Sequence, residues 1–274
     1  MRDLPIGVFD SGVGGLTVLG ALRRQLPAED FLYLGDTARL PYGTKTPATV
    51  ERYALQAVAE LQRRGVKAVV VACNTASAAA LPALSAAFPQ LLLMGVIEPG
   101  ATAAVAASRS RRIAVIATEA TVRGEAYQIA IHRLDREAQV TAIAATLFVA
   151  LAEEGWVTGA IAESVARRYL GPLFEVGGAA PDTLVLGCTH FPPLIEAIRS
   201  VTGPGVSIVD SAATTAAALA GLLGAQGRAV GEPGHTHFLV TDGVERFVRI
   251  GPGFLGSAID ARDVERVDLA PAQQ

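Results

Sequence analysis

Short, unbroken apolar runs recur along this chain, and nearly every one is followed by a segment with helical spacing. They are IGVF (6–9), FLYLG (31–35), VKAVVVA (66–72), LLLMGVI (91–97), RIAVIAT (112–118), VTAIAA (140–145), TLVLG (183–187) and VSIVD (206–210). A strand that is apolar on both faces must be covered on both faces, and a parallel sheet between two layers of helices provides that cover. The alternation of such strands with helices therefore predicts an α/β fold with parallel sheets.

The pattern restarts near residue 112. RIAVIAT takes the place that IGVF holds at the start, with ATVRGEAYQIAI as its helix. The order of elements predicts two similar doubly wound domains related by a pseudo-two-fold, with a cleft between them. Residues 1–97 together with about 209–268 are expected to form the first domain and 98–208 the second. The remaining elements are a helix after DSGVGG to about Leu26, a helix from Pro47 to Arg64 opened by its proline, mostly helical chain over 146–170, and an Ala-rich helix over 212–223. THFLVTD (236–242) reads as an edge strand, and the residues from about Asp268 as a loose tail.

Composition narrows the function classes. The chain has 274 residues, 51% of them hydrophobic but only 5% aromatic, so alanine and small aliphatics must fill the cores. A net charge of −3 with basic residues only single or paired gives no electrostatic case for nucleic acid or an anionic membrane. No apolar run reaches the ~20 residues of a membrane span, and MRDLPIGVFD opens without the apolar core of a signal peptide. A cytoplasmic protein is expected, with Cys73 and Cys188 as reduced thiols rather than a disulfide.

Ligands of open parallel sheets bind at the carboxyl ends of the strands, and every unusual loop here falls at such an end. DSGVGG (10–15), GDTARLPYG (35–43) and CNTAS (73–77) follow strands of the first half; ATEAT (117–121) and GCTHFP (187–192) follow strands of the second. The only two cysteines stand at matching points of two matching segments, each after an apolar strand and before a helix. A helix N-terminus favours a thiolate. Two acid/base groups on opposite sides of a small substrate can take a proton from one face and return one to the other, which inverts a stereocentre. Many such enzymes hold pyridoxal phosphate on a lysine. The only lysines, Lys45 and Lys67, follow no strand in an evident pocket, so no cofactor is expected.

Plainer readings stand beside these. A buried cysteine is commonly a small hydrophobe. DSGVGG could cradle a phosphate, but Thr17 replaces the third glycine of a dinucleotide loop. Asp10 could be a helix N-cap, and the Glu153–Glu154 pair a solvated surface. His235 and His237 alternate on one strand face without a third ligand nearby in sequence, so no metal is expected, and His132 reads as exposed.

DSGVGG, GDTARLPYG, CNTA and GCTHFP, in this order, resemble the glutamate racemase family of cofactor-independent racemases, over about Ile6 to Gly256. The resemblance implies interconversion of L- and D-glutamate, supplying D-glutamate for peptidoglycan. It implies Cys73 and Cys188 as the proton-transfer groups, assisted by Asp10 and His190, with Glu153 at the family's Glu-x-Gly position. Asp10, Ser11, Pro41, Tyr42 and Gly43 are implied to meet the substrate from one side, with Asn74 and Thr75. Thr118, Thr121, Thr189 and His190 are implied to meet it from the other. Gly124 departs from the family, where a serine is common, at a place expected to touch helix stability rather than chemistry. The related aspartate racemases carry Thr-Glu after the second cysteine; Thr189-His190 favours glutamate here. The partner is thus a small molecule, a homodimer is left open, and a solute-binding module is the non-enzymatic alternative.

Overall fold

A computed structural model of the chain describes residues 4–175, 179–224 and 233–269. Its first sheet is built from β1 (Ile6–Asp10), β2 (Phe31–Gly35), β3 (Ala68–Val71), β4 (Leu92–Gly95), β9 (Thr236–Val240) and β10 (Val264–Arg266). Its second is built from β5 (Arg112–Ala117), β6 (Gln139–Ala144), β7 (Thr183–Gly187) and β8 (Ser207–Asp210). All pairings are parallel. The first sheet runs β10–β9–β2–β1–β3–β4 and the second β6–β5–β7–β8. The second order repeats the β2–β1–β3–β4 portion of the first strand for strand. Each reverses direction at its first strand, β1 or β5, which is where an open α/β sheet leaves a crevice.

Side chains explain why these strands read as continuous apolar runs. Ile6 and Val8 pack into one core while Phe9 packs into another, on the opposite face of β1. Ala114 and Ile116 join the first of these cores, whereas Ile113 and Val115 join a third on the far face of β5. The core that takes Ile6 and Ala114 is therefore continuous between the two sheets. Each fully buried Val, Leu or Ile there contributes ~1.5–3 kcal/mol relative to exposure.

The helices follow local signals. In α1 (Leu16–Gln25), Arg23 and Arg24 fall in the last turn, where cations suit the helix dipole. In α2 (Pro47–Arg63), Thr46 accepts the Thr49 N–H at 3.4 Å and Pro47 opens the first turn. The next helix, α3 (Asn74–Ala87), has Cys73 itself as N-cap: Sγ accepts the Ala76 N–H at 3.4 Å. An unforeseen helix, α4 (Ile97–Ala107), occupies the chain between β4 and β5. It was hidden because the apolar run at 91–97 passes without a break from strand into helix.

The segment read as one helix after β5 is two, α5 (Glu119–Arg123) and α6 (Ala126–Leu134). Between them Gly124 ends α5 and Glu125 takes a left-handed backbone, φ 51°. The stretch 146–170 divides into α7 (Leu147–Glu153) and α8 (Gly159–Phe174). After α9 (Ile195–Thr202) and β8 comes α10 (Ser211–Leu223), packed on α1 and α4. The strand at 236–240 corrects the edge-strand reading: β9 lies inside the first sheet between β2 and β10, because the short β10 covers it. Two short helices, α11 (Val244–Ile250) and α12 (Pro252–Leu255), complete that side. The expected tail lies mostly outside the described residues.

Candidate active site

A cavity of about 330 Å³ opens between the carboxyl ends of the two sheets. Ser11 reaches it after β1; Leu40, Pro41, Tyr42, Gly43 and Thr44 after β2; and Cys73, Asn74 and Thr75 after β3. From the second sheet come Thr118 after β5 and Cys188, Thr189 and His190 after β7, with Glu153 at the end of α7. The topology explains the pairing of the thiols: β3 and β7 occupy the same position in the two strand orders, and each delivers its cysteine to the same cavity. Both cysteines are free and buried.

Of the site residues that the resemblance implies, Asp10 and Thr121 alone do not line the cavity. Asp10 is fully buried behind it, and its Oδ2 accepts the Gly12 N–H at 2.9 Å. It is not the cap of α1, whose N-cap is Gly15. Thr121 closes a triangle of hydroxyls: Thr75 and Thr118 lie 2.9 Å apart, with Thr121 3.3 Å from Thr75 and 3.1 Å from Thr118. One corner belongs to α3 and two to the chain after β5, so the triangle bridges the sheets. Lys45 and Lys67 lie outside the cavity lining; Lys67 pairs with Glu29 instead.

The glycines of DSGVGG and GDTARLPYG serve close approach. A Cβ on Gly14 would stand 2.4 Å from both His190 Nδ1 and Thr189 Oγ1. A Cβ on Gly43 would stand 2.7 Å from Thr118 Cβ. Both contacts cross from the first sheet's loops to the second's, so only glycine lets the loops meet. Thr17, which breaks the phosphate-loop pattern, donates from Oγ1 to Gly14 O at 2.9 Å and makes a longer contact with Thr189 O at 3.1 Å. The Leu40–Pro41 peptide is cis, and the adjoining Tyr42 donates its hydroxyl to the buried Asp36.

The two thiols have unlike surroundings. Burial pushes the Cys73 thiol up to about 12, and the neighbouring Asp10 carboxylate adds to the effect, against hydrogen bonds from Ser11 and the Ala76 N–H. Burial likewise raises Asp10, partly offset by His190 and backbone N–H groups. Beside Cys188 stands a chain of charges. His190 Nδ1 lies 3.9 Å from Cys188 Sγ; its Nε2 donates to Glu153 Oε1 at 3.1 Å; Arg246 Nη2 donates to Glu153 Oε2 at 2.8 Å. Burial works against charge on His190, but its bonds to Cys188 and Glu153 outweigh it and hold the imidazole up to about 10. Burial also opposes charge on Glu153, yet the bonds from His190 and Arg246 bring its carboxyl down to about 2.

Sequence reasoning missed several lining residues. Thr146, Val149, Ala150 and Glu153 are spaced i, i+3, i+4 and i+7, one face of a helix. Stepping back along that face from Glu153 would have found the other three. Leu40 and Thr44 flank the foreseen Pro41–Gly43 segment. Arg246 carries no local signal; it lies 93 residues from the carboxylate it contacts.

Residues 6–219 match the family described as Asp/Glu/Hydantoin racemase. A glutamate racemase of Geobacter metallireducens is 50% identical over 266 residues, covering 96% of each chain. The structure of a Francisella tularensis glutamate racemase in complex with D-glutamate superposes with a TM-score of 0.89 at 35% identity, covering 98% of this chain and 99% of that one. That of a Thermus thermophilus glutamate racemase in complex with β-chloro-D-alanine gives 0.86 at 46% identity, covering 98% of both. The chain belongs to the Asp/Glu/Hydantoin racemase family, among its glutamate racemases, and is an isomerase of the amino-acid racemase kind.

Proposed function

We propose that the chain interconverts L- and D-glutamate by two-cysteine proton transfer and supplies D-glutamate for peptidoglycan synthesis in the cytoplasm. The observation that carries this reading is the delivery of Cys73 and Cys188, from equivalent strands of two repeated sheets, to one cavity. The two lobes on either side are residues 1–97 with about 209–268, and 98–208. In support, α4 packs on β7 and β8, while β9 and β10 return to the first sheet.

In each direction one cysteine is a thiolate and the other a thiol. The thiolate takes the proton from Cα of glutamate; the electron pair left on Cα then takes the proton of the opposite thiol on the other face. One S–H bond forms and one breaks, one C–H bond breaks and one forms, and the thiols exchange protonation states. The α-proton of an amino acid is very weakly acidic, so the developing carbanion needs hydrogen-bond donors in a desolvated site. The hydroxyls of Ser11, Thr75 and Thr118 and the amide of Asn74 supply donors at the cavity wall. His190, held as a cation by Glu153, sets a positive charge beside Cys188 that stabilises negative charge on the sulfur. On the other side Asp10 is the polar partner of Cys73.

The test is proton NMR of the reduced, cofactor-free protein with L-glutamate in D₂O, alongside optical rotation. Loss of both the α-proton signal and the rotation is expected. A folded protein that changes neither removes glutamate; turnover of aspartate alone would then reassign the substrate, and binding without turnover would favour a solute-binding role.

A further inference from the structure

Asn74 follows Cys73 directly, lines the cavity and is 2% exposed. Its two side-chain atoms are treated differently. Oδ1 accepts a hydrogen bond of 2.7 Å from the hydroxyl of Tyr127, while Nδ2 is buried with no partner among the described residues. A buried donor left unpaired loses its hydration with nothing in return, so a site that keeps one is arranged for a ligand acceptor. An amide that is free to rotate would present either its oxygen or its nitrogen to that ligand.

Tyr127 is placed to remove this choice. It is 1% exposed and stands in α6, on the second sheet's side, so its bond to Asn74 crosses between the lobes. The break between α5 and α6 sets its helix off from the cavity loop that carries Thr118 and Thr121. Its ring fills a slot between two glycines. A Cβ on Gly100 of α4 would come within 3.2 Å of Tyr127 Cε1 and Oη, and one on Gly187, the residue before Cys188, within 2.9 Å of Cε2. Burial raises the phenol, with the charges of Cys188 and Asp210 adding to it, so the hydroxyl stays protonated and able to donate.

We propose that Tyr127 is a positioning residue that locks the Asn74 amide with its oxygen toward the phenol and Nδ2 toward a carboxylate oxygen of the substrate. This rests on the reading of the cavity as a glutamate site. The locked amide offers only a donor there, which selects an anionic carboxylate over a neutral amide. Tyr127 touches no reacting atom; it acts through Asn74.

The experiment measures racemisation of both glutamate enantiomers by circular dichroism for the parent, Tyr127→Phe, Asn74→Ala, their double variant and Asn74→Asp, with Tm for each. Phenylalanine keeps the ring in its slot, so Tm should stay within a few degrees. Tyr127→Phe is expected to raise KM about tenfold with kcat within about twofold, the pattern of lost uniform binding. Asn74→Ala should raise KM at least as much, and the double variant should match Asn74→Ala alone, because the phenol has no route to substrate once the amide is gone. Asn74→Asp leaves Tyr127 intact and turns the donor into an acceptor, so its KM should exceed that of Asn74→Ala. Additive effects in the double variant, an unchanged KM in Tyr127→Phe, or Asn74→Asp no worse than Asn74→Ala would each overturn the proposal while leaving the glutamate reading standing. An Asn74→Ala enzyme with parental KM would overturn it by removing Asn74 from the substrate, and a parent inactive on glutamate would show that the functional reading itself had failed.

Discussion

Cys73 and Cys188 sit at equivalent strand ends, yet the two halves of the site control charge by opposite means. Around Cys73 the agent is burial: the thiol and the fully buried Asp10 that acts on it from behind the cavity are both raised. Around Cys188 it is pairing: His190, Glu153 and Arg246 form a line of alternating charge that ends at a side chain 43% exposed. A duplicated scaffold can place two like groups symmetrically, but the loops that follow the strands decide how each group holds its proton. The proposed mechanism needs both thiols competent in turn, and these are two different physical ways to reach that end.

The largest effect should come from the thiols themselves. Cys73→Ser and Cys188→Ser should each lower racemisation in both directions by ~10³-fold or more, read by circular dichroism, since a serine hydroxyl is a far weaker acid than a thiol. A single variant that keeps most of its turnover would break the equivalence from which the comparison starts. Next, Asp10→Asn removes the carboxylate beside Cys73. In a Cys188→Ser background the Cys73 thiolate, followed by its ultraviolet absorbance, should then appear below about 12, and racemisation in the Asp10→Asn enzyme should fall ~10–10²-fold. An unmoved titration would leave burial alone in charge of that side.

The Cys188 side is tested through stability. His190 is raised from 6.5 to about 10, so the native state keeps a proton that the unfolded chain releases. Its contribution is complete below pH 6.5 and is lost as the pH rises toward 10. The urea midpoint should fall across that window, and His190→Asn should flatten the fall. Cys73, raised from 9.0 to about 12, acts in the same sense only at the alkaline end, so the two halves separate by pH. The smallest effect belongs to Arg246→Ala. A half-exposed partner of Glu153 is worth little, so kcat/KM should drop only about two- to fivefold, and less at high salt.

Much of this was legible in the chain. The central strands were plain because both faces of β1, β2, β3, β5 and β7 are buried, which leaves no polar alternation to confuse the period. The cysteines were plain because their two contexts match. What escaped did so for physical reasons. The strand β4 and the helix α4 share one apolar run, so the boundary leaves no mark. The short β10 has too few residues to announce itself, which made β9 look like an edge. Arg246 and Tyr127 reach the site only through side chains whose partners lie far off in sequence, at separations of 93 and 53 residues. Long-range contacts of that kind are products of the fold and have no local pattern.

Cys73 is also the N-cap of α3, with its sulfur accepting the Ala76 N–H. An anionic acceptor makes a stronger hydrogen bond than a neutral one and sits well at the positive end of a helix. In the proposed mechanism, every proton that leaves this thiol therefore tightens the first turn of a 14-residue helix, and every proton that returns slackens it. The chemistry is written into a backbone amide, and the exchange rate of the Ala76 N–H is a gauge of which way the reaction is facing.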